Sequence, residues 1–195
     1  DSYYDLPGRS PEAASLYEHC VRAIRHGLRF GEHGLPLIGS GDWNDGMDRV
    51  GRGGRGESIW LAWFTAVTAD LMADMQRRLG RDHSADQWTD RARELRSRVE
   101  ESGWDGAWYR RAYYDDGHPV GSAQDAECRI DSISQSWAAF AGADPARVAT
   151  ALQSARRELV TSEDRLARLL WPPFDAGPRD PGYIKAYPPG IRENG

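Results

Sequence analysis

A short loop at residues 39–48 concentrates the side chains of this chain that are best suited to chemistry. It reads Gly-Ser-Gly-Asp-Trp-Asn-Asp-Gly-Met-Asp, with carboxylates at Asp42, Asp45 and Asp48 and an indole at Trp43. Its glycines disfavour helix and strand, so one carboxylate can point into a cleft while another accepts backbone N–H bonds. A proton-donating carboxylic acid needs an apolar wall, which Trp43 could supply to Asp45. Carboxylates beside an aromatic face suggest a sugar site.

Three other loop chemistries fit the spacing poorly. A calcium loop counted from Asp42 would place Gly46 at position 5 and Gly53 at position 12, where a glutamate is required. A dinucleotide fingerprint would need glycine at Asn44, and a phosphate-binding P-loop would need a Lys-Ser/Thr ending. A plain surface turn of Asp, Asn and Gly stays open as the structural alternative.

Helical periodicity on both sides of the loop predicts the elements that position it. We predict a first helix over 11–30 with Ser10 as N-cap, and a second over 58–79 with apolar residues on two stripes. A capping box that begins at Ser84 predicts a third helix that Gly103 ends. The first stripe of the second helix contains Trp60, Phe64, Val67, Leu71 and Met75, and the other contains Ile59, Trp63 and Ala66.

The second half of the chain alternates turns with shorter helices. The aromatic, turn-rich stretch 104–121 predicts a hairpin or extended loop, and we expect no other strands. Helices are predicted over 131–141 and from Asp144-Pro145 to 159, with a weaker one over 163–170. From Trp171 onward prolines and glycines predict irregular structure. This order favours an all-α fold, either a helical toroid or a plain bundle.

Composition excludes several classes of protein. The 195 residues carry a formal charge of −5, from 25 basic and 30 acidic residues, which gives no basic face for nucleic acid. Two cysteines are too few for a disulfide framework or a zinc site, and a reduced compartment is expected. No apolar run approaches the roughly 20 residues of a membrane span. The start at Asp1 and the motif-like end at Gly195 are interpreted as those of a fragment, without a signal peptide.

Four motifs, in order along the chain, resemble glycoside hydrolase family 94. They are Asp-Trp-Asn-Asp-Gly-Met at 42–47, Gly-Glu-Ser-Ile-Trp-Leu at 56–61, Arg-Ile-Asp-Ser-Ile-Ser-Gln-Ser-Trp at 129–137, and Gly-Tyr-Ile-Lys-Ala-Tyr-Pro-Pro-Gly-Ile-Arg-Glu-Asn-Gly at 182–195. Within the family they are most similar to the phosphorylase-like C-terminal region of cyclic β-1,2-glucan synthases and to 1,2-β-oligoglucan phosphorylases. The resemblance implies part of an (α/α)6 barrel, a single catalytic domain over 1–195 that is truncated at both ends.

The resemblance also implies roles for individual residues. The family's general acid falls on Asp45, and the tryptophan that lines its sugar site falls on Trp43. The segment 129–137 is implied to face the cleft, while the phosphate-binding threonine of the family lies beyond Gly195. The candidate substrate-binding residues are therefore Trp43, Asp42, Glu57, Arg129, Gln135 and Trp137.

Several of these candidates have an equally simple structural use. Asp42 and Asp48 are assigned mainly to the architecture of the loop, and Glu57 could cap the following helix. Arg129 could form a salt bridge with Asp125 or Asp131. Trp137 lies on an apolar stripe that favours core packing. The five histidines lack metal-ligand spacing, so we expect no metal.

The resemblance therefore implies an inverting glycoside phosphorylase that acts on β-glucan oligosaccharide with inorganic phosphate as co-substrate and no cofactor. We expect β-1,2-glucan oligomers as substrate and α-glucose 1-phosphate as product, with this stretch inactive by itself. A β-disaccharide phosphorylase, an inverting glycosidase or a catalytically silent carbohydrate-binding domain remain alternatives. We expect a cytoplasmic location, and membrane attachment only through other parts of a parent protein.

Overall fold

Five α-helices and seven two-residue strands make up the regular structure in a computed structural model that describes residue 8 and residues 11–195. The helices are α1 (Leu16–Gly27), α2 (Ile59–Arg78), α3 (Asp82–Ser102), α4 (Ser132–Phe140) and α5 (Pro145–Leu159). The strands are β1 (Glu57–Ser58), β2 (Ala112–Tyr113), β3 (Pro119–Val120), β4 (Ile130–Asp131), β5 (Val160–Thr161), β6 (Leu166–Ala167) and β7 (Leu170–Trp171). The predicted helical fold is confirmed, with short strands added.

Helix α1 begins later than the sequence predicts. Ser15 is the N-cap, because its side chain accepts a hydrogen bond from the backbone N–H of Glu18, and the segment from Pro11 to Ser15 is not helical. Ser10 lies outside the described residues. The helix also ends at Gly27 rather than continuing to Phe30. A serine cap immediately before an amphipathic run therefore outweighs the proline signal upstream.

Helices α2 and α3 pack against each other and form the centre of the larger core. α2 runs almost as predicted, with Ser58 as its N-cap, and its stripe around Trp63 and Ala66 is fully buried. The two stripes do not form one wide buried face, because Phe64 is 40% exposed and Leu71 is 65% exposed. The predicted capping box of α3 is also wrong: the helix begins upstream, at Asp82, so Ser84 already lies inside it.

The predicted hairpin forms within a three-stranded antiparallel sheet of order β1-β2-β3. In this sheet Glu57 pairs with Tyr113 and Ser58 with Ala112, so the residues just before α2 are tied to the hairpin. Two further antiparallel pairs, β4-β7 and β5-β6, correct the expectation that no other strands exist. The predicted helix over 163–170 is wrong for the same reason, because a turn and strands β6 and β7 occupy that stretch.

Strand β4 leads directly into α4, as β1 leads into α2. Asp131 caps α4 by accepting a hydrogen bond from the N–H of Ile133 at 2.8 Å. A second buried core lies under the acidic loop, and its buried members are Ile38, Met47, Val50, Ala112, Val120, Cys128, Leu170, Phe174 and Ile184. The loop is therefore anchored from below by side chains that come from distant parts of the chain.

The N-terminus of α5 gives a first testable prediction. Asp144 accepts hydrogen bonds from the N–H groups of Ala146 and Arg147 at 3.0 and 2.9 Å. Asp144→Ala should lower the free energy of unfolding by about 1 kcal/mol, because the two N–H groups lose their side-chain acceptor. Urea unfolding measures the change. Asp86→Ala, which removes an exposed carboxylate inside α3, is the control and should change the midpoint much less; equal effects would contradict a capping role.

Candidate active site

Asp45 occupies the first position of a single 3-10 turn, Asp45–Met47, and its side chain is exposed. Asn44 caps this turn, since its side-chain oxygen accepts a hydrogen bond from the N–H of Gly46 at 3.1 Å. Gly41 has a positive φ of 118°, and a Cβ at Gly41 would lie 3.0 Å from the Cα of Asp45. Glycine is needed there because the chain folds back tightly on Asp45. The exposed carboxylate thus projects from a well-defined backbone.

Asp42 braces this loop from inside the protein. Its carboxylate accepts two hydrogen bonds from the guanidinium of Arg111, both at 2.7 Å, and one from the Ser58 hydroxyl at 2.6 Å. The side chains of Asp42 and Arg111 are both completely buried. Burial by itself raises the pKa of Asp42, but the charge and hydrogen bonds of Arg111 more than offset this and hold that pKa below its usual value.

A second carboxylate shares the same arginine. Asp131 Oδ2 lies 3.2 Å from Arg111 Nε, in a side chain that is 1% exposed. Burial raises the pKa of Asp131, and the charge of Arg111 only partly counteracts that shift. Burial lowers the pKa of Arg111, but the charges of Asp42 and Asp131 raise that pKa by more than burial lowers it. Arg111 therefore stays charged. One buried cation therefore joins the acidic loop to the N-terminus of α4.

Asp48 braces the other end of the loop, against the segment 181–186. Its Oδ1 accepts a hydrogen bond from the N–H of Tyr183 at 2.9 Å, and the N–H of Arg49 donates to Pro181 O at 3.1 Å. Gly182 has a φ of 124°, and a Cβ there would lie 2.1 Å from Asp48 Oδ1. Only glycine permits this close approach. The architectural use expected for Asp48 is thus present.

The docked segment brings a phenol to the candidate acid. The Tyr183 phenol lies close enough to the Asp45 carboxylate to interact with it, and this interaction, assisted by desolvation, raises the pKa of Tyr183 to about 12. The ring of Tyr187 meets the Tyr183 ring edge-on at 6.1 Å between centroids, and the Arg192 guanidinium lies 4.9 Å from the centroid of Tyr187. A phenol therefore lies near Asp45, followed by a second aromatic ring and then a cation, a combination suited to binding the hydroxyls and faces of a sugar.

Glu57 does not cap α2, which corrects one expectation. Ser58 performs that task by accepting a hydrogen bond from the N–H of Leu61 at 2.9 Å. The Glu57 carboxylate is buried and accepts hydrogen bonds from the N–H groups of His33 and Leu35, at 3.1 and 3.0 Å, and lies 2.5 Å from His33 Nδ1. Since its oxygens are occupied within the chain, Glu57 orders the segment that precedes the acidic loop.

Gln135 and Trp137 also contact the interior. The Gln135 side chain is completely buried and bridges the backbone N–H and C=O of Tyr109, at 2.8 and 2.7 Å. Trp137 packs edge-on against Trp60 at 5.9 Å and Phe64 at 5.4 Å, as the packing interpretation predicted. These contacts are internal to the protein, and contact of either residue with sugar remains a prediction.

Arg129 is exposed, and neither of the carboxylates expected to pair with it does so. Asp125 lies 3.0 Å from His118 Nε2, and Asp131 is turned inward to Arg111. Trp43, 38% exposed, is the other substrate-binding candidate that remains open to solvent. Among the residues described from 11 to 195, no group of three His, Cys, Asp or Glu side chains could hold a metal ion. No helix in that part of the chain is both long and apolar enough to cross a membrane.

Sequence reasoning did not identify Arg111 or Tyr183 as part of this site. Arg111 stands beside Arg110 just before β2, and only Arg111 has a fully buried side chain. The local sequence carries no signal for this difference, since Arg111, Ala112 and Tyr113 are buried in succession. It could not have revealed the partner Asp42, which is 69 residues away.

Comparison with known proteins places these observations in a family. Residues 3–195 match the family model described as "Glycosyl hydrolase 94 superfamily, catalytic domain". The chain is 48% identical over its full length to the cyclic beta-(1,2)-glucan synthase NdvB of Rhizobium meliloti (strain 1021), and covers 7% of that protein. Two proteins of Paenibacillus borealis are each 35% identical, a solabiose phosphorylase over 97% of the chain and a 3-O-beta-D-glucopyranosyl-beta-D-glucuronide phosphorylase over 95%.

The chain spans only 25% and 24% of the length of those two phosphorylases. The family model, however, covers nearly every residue described above, including the acidic loop, the hairpin with Arg111 and the segment with Tyr183. The chain belongs to the glycosyl hydrolase 94 superfamily, as part of its catalytic domain.

Proposed function

We propose that this chain supplies the proton-donating part of an inverting glycoside phosphorylase, with Asp45 as the general acid. The observation that carries the proposal is the exposed Asp45 carboxylate, which projects from a loop fixed at both ends by buried or docked carboxylates. Relatives named as phosphorylases support the reaction class. The (α/α)6 barrel of the family is the proposed setting, with residues 1–195 as one part of a single catalytic domain.

The proposed reaction needs one carboxylic acid rather than two. Asp45 gives its proton to the glycosidic oxygen, while a phosphate oxygen attacks C1 of the glucosyl unit from the opposite face. The bond from C1 to the glycosidic oxygen breaks as the bond from C1 to phosphate forms, so a β-linkage yields α-glucose 1-phosphate and a glucan shortened by one unit. Phosphate is already an anion, so no carboxylate base is required to activate it, in contrast to inverting hydrolysis.

Each of the residues around Asp45 can be given a role in this reaction. Trp43 offers an apolar face to a sugar ring, and the Tyr183 phenol lies near the acid. Tyr187 and Arg192 extend the surface beyond Tyr183, on which a further sugar unit could rest. The buried partners of Asp42, Glu57 and Gln135 support a scaffolding contribution of these three residues, in place of the direct sugar contact implied by the resemblance.

We propose β-1,2-linked glucose oligomers as the substrate. The support is the 48% identity to a protein named for β-(1,2)-glucan, against 35% to phosphorylases named for other glycosides. A β-disaccharide phosphorylase is the second candidate, because two relatives named as phosphorylases of other glycosides align with almost the whole chain.

The test uses the full-length protein that contains this sequence. It is incubated with β-1,2-glucooligosaccharide in the presence and absence of inorganic phosphate, with cellobiose as a linkage control, and glucose 1-phosphate is measured. We expect glucose 1-phosphate only from the β-1,2 substrate with phosphate. Equal cleavage without phosphate would favour a glycosidase, product from cellobiose alone would favour a disaccharide phosphorylase, and binding without any product would favour a silent carbohydrate-binding domain.

A further inference from the structure

Arg111 is a fully buried arginine whose side chain binds the loop that carries Asp45. It starts from the hairpin, where its backbone N–H donates to Val120 O at 2.7 Å and its C=O accepts from the N–H of Ile59 at 3.2 Å. Gly121 allows this placement, because a Cβ at Gly121 would lie 2.6 Å from Arg111 N. Both ends of the arginine are therefore fixed, its backbone by strand β3 and helix α2, and its guanidinium by Asp42.

The contacts of Asp42 leave that carboxylate no freedom to rotate. Oδ1 accepts from Arg111 Nη2 and from the backbone N–H of Asn44, at 2.7 and 3.1 Å. Oδ2 accepts from Arg111 Nη1 and from the Ser58 hydroxyl, at 2.7 and 2.6 Å. Two donors reach each oxygen, so all the usual acceptor positions of the carboxylate are filled.

A series of hydrogen bonds connects Asp42 to the backbone on both sides of Asp45. The bond from Asn44 N–H to Asp42 fixes the backbone at Asn44, and the Asn44 side chain then accepts from the N–H of Gly46. The C=O of Asn44 accepts from the N–H of Met47 at 3.1 Å. Asp45 lies between these bonded positions, so its Cα–Cβ direction is set by hydrogen bonds that originate at the guanidinium of Arg111.

The chemistry of arginine suits this task better than that of lysine. A guanidinium presents a planar pair of donors that match the two oxygens of a carboxylate, whereas an ammonium is a single point that leaves the carboxylate free to turn. In a buried position a bidentate pair therefore fixes both the location and the orientation of its partner. Asp131 Oδ2 lies 3.2 Å from the remaining nitrogen, Arg111 Nε, so the same guanidinium also pairs with the carboxylate at the start of α4.

We propose that Arg111 is the positioning residue of the acid: through Asp42 it holds the acidic loop so that the Asp45 carboxyl faces the glycosidic oxygen. This inference rests on the proposed function, since it assumes that Asp45 donates the proton. Arg111 does not touch substrate, because its side chain is completely buried. A shift of about 1 Å in a reacting group can cost about 10²-fold in rate, so loss of the bidentate contact should be visible in kcat.

The test is a double-mutant cycle in the full-length protein between Arg111→Lys and Asp45→Asn. Initial rates of phosphorolysis are measured at varied substrate concentration, with more enzyme for the slower variants. In the parental background Arg111→Lys should lower kcat by at least about tenfold and change KM by less than about twofold, because positioning of the acid matters in the transition state. In the Asp45→Asn background the same substitution should change kcat by less than about twofold, since there is no acid left to misplace.

Arg110→Lys is the matched control, because Arg110 binds Asp105 and the hydroxyl of Tyr113 rather than Asp42. It should leave kcat within about twofold of the parent. A loss from Arg111→Lys that is equal in both backgrounds would overturn the proposal and leave a purely structural arginine, and so would a parental kcat in Arg111→Lys. If Asp45→Asn itself keeps the parental rate, the proposed function has failed rather than this inference.

A second variant covers the case in which Arg111→Lys does not fold. Asp42→Asn keeps the size of the side chain but leaves one carbonyl oxygen, which can accept from the Asn44 N–H or from the Ser58 hydroxyl but not from both, and it removes the second acceptor of the bidentate pair. Its kcat should fall in the parental background and not in the Asp45→Asn background. Circular dichroism of each variant establishes that the helices are retained before the rates are compared.

Discussion

Asp45→Asn is expected to lower the rate of phosphorolysis by at least about 10²-fold, and by up to about 10⁴-fold, in the full-length protein. General acid catalysis contributes a factor of this size, and the isosteric amide cannot give a proton to the glycosidic oxygen. Asparagine has the size and shape of aspartate, so binding of the glucan should change little. The expected pattern is therefore a fall in kcat with a nearly constant KM.

The measurement is the initial rate of glucose 1-phosphate formation from β-1,2-glucooligosaccharide at saturating phosphate. Asp164→Asn is the matched control, because Asp164 is an exposed aspartate in the turn between β5 and β6. It should retain the parental rate. Near-parental activity of Asp45→Asn would remove Asp45 from the role of acid and would direct attention to another exposed acid on the same face.

Arg111→Met is expected to lower the free energy of unfolding by about 3–5 kcal/mol at pH 7. Two buried carboxylates, Asp42 and Asp131, would lose their shared cation in a place that water cannot reach. Each carboxyl group would then have to remain charged without a partner or bind a proton at a cost that grows with pH. A methionine fills similar volume, so the loss reports the charges rather than a cavity.

The pH dependence of this loss has a definite sign. In the parent, the pKa of Asp42 is held below its usual value of about 3.8 in spite of burial, so the stabilisation by Arg111 is present above that value and disappears as the pH falls through the lowered pKa. In Arg111→Met no cation opposes burial, so the pKa of each buried carboxyl rises above its usual value. The carboxyls then take up protons as the pH falls toward about 4, which relieves the variant. The difference between parent and variant should therefore be largest near neutral pH and shrink toward pH 4.

Urea unfolding followed by tryptophan fluorescence at pH 7 and pH 4 measures both effects. Arg110→Met is the comparison, because Arg110 also pairs with an aspartate, Asp105, but its side chain is 26% exposed rather than fully buried. Its loss should be clearly smaller and less dependent on pH. Equal losses for the two arginines would mean that the buried pair with Asp42 contributes no more than an ordinary partly exposed ion pair.

Most helices could be placed from sequence because their signals are local. The N-caps of α2, α4 and α5 are Ser58, Asp131 and Asp144, polar residues whose side chains accept hydrogen bonds from the first free backbone N–H groups. These contacts span two or three residues, so the sequence displays both partners together. The failure over 163–170 has the opposite cause: its backbone hydrogen bonds go to Val160–Thr161 and to β4, and such partners are chosen by tertiary packing.

The candidate site divides in the same way. Residue types at fixed spacing are enough to identify the loop at 39–48, the family to which its motifs belong and the carboxylate that resembles the acid. Which carboxylates already have partners within the protein depends on the tertiary structure. Asp42 meets Arg111 from 69 residues away and Asp48 meets Tyr183 from 135 residues away. A buried charge must find its partner in space, and no periodic pattern along the chain records that distance.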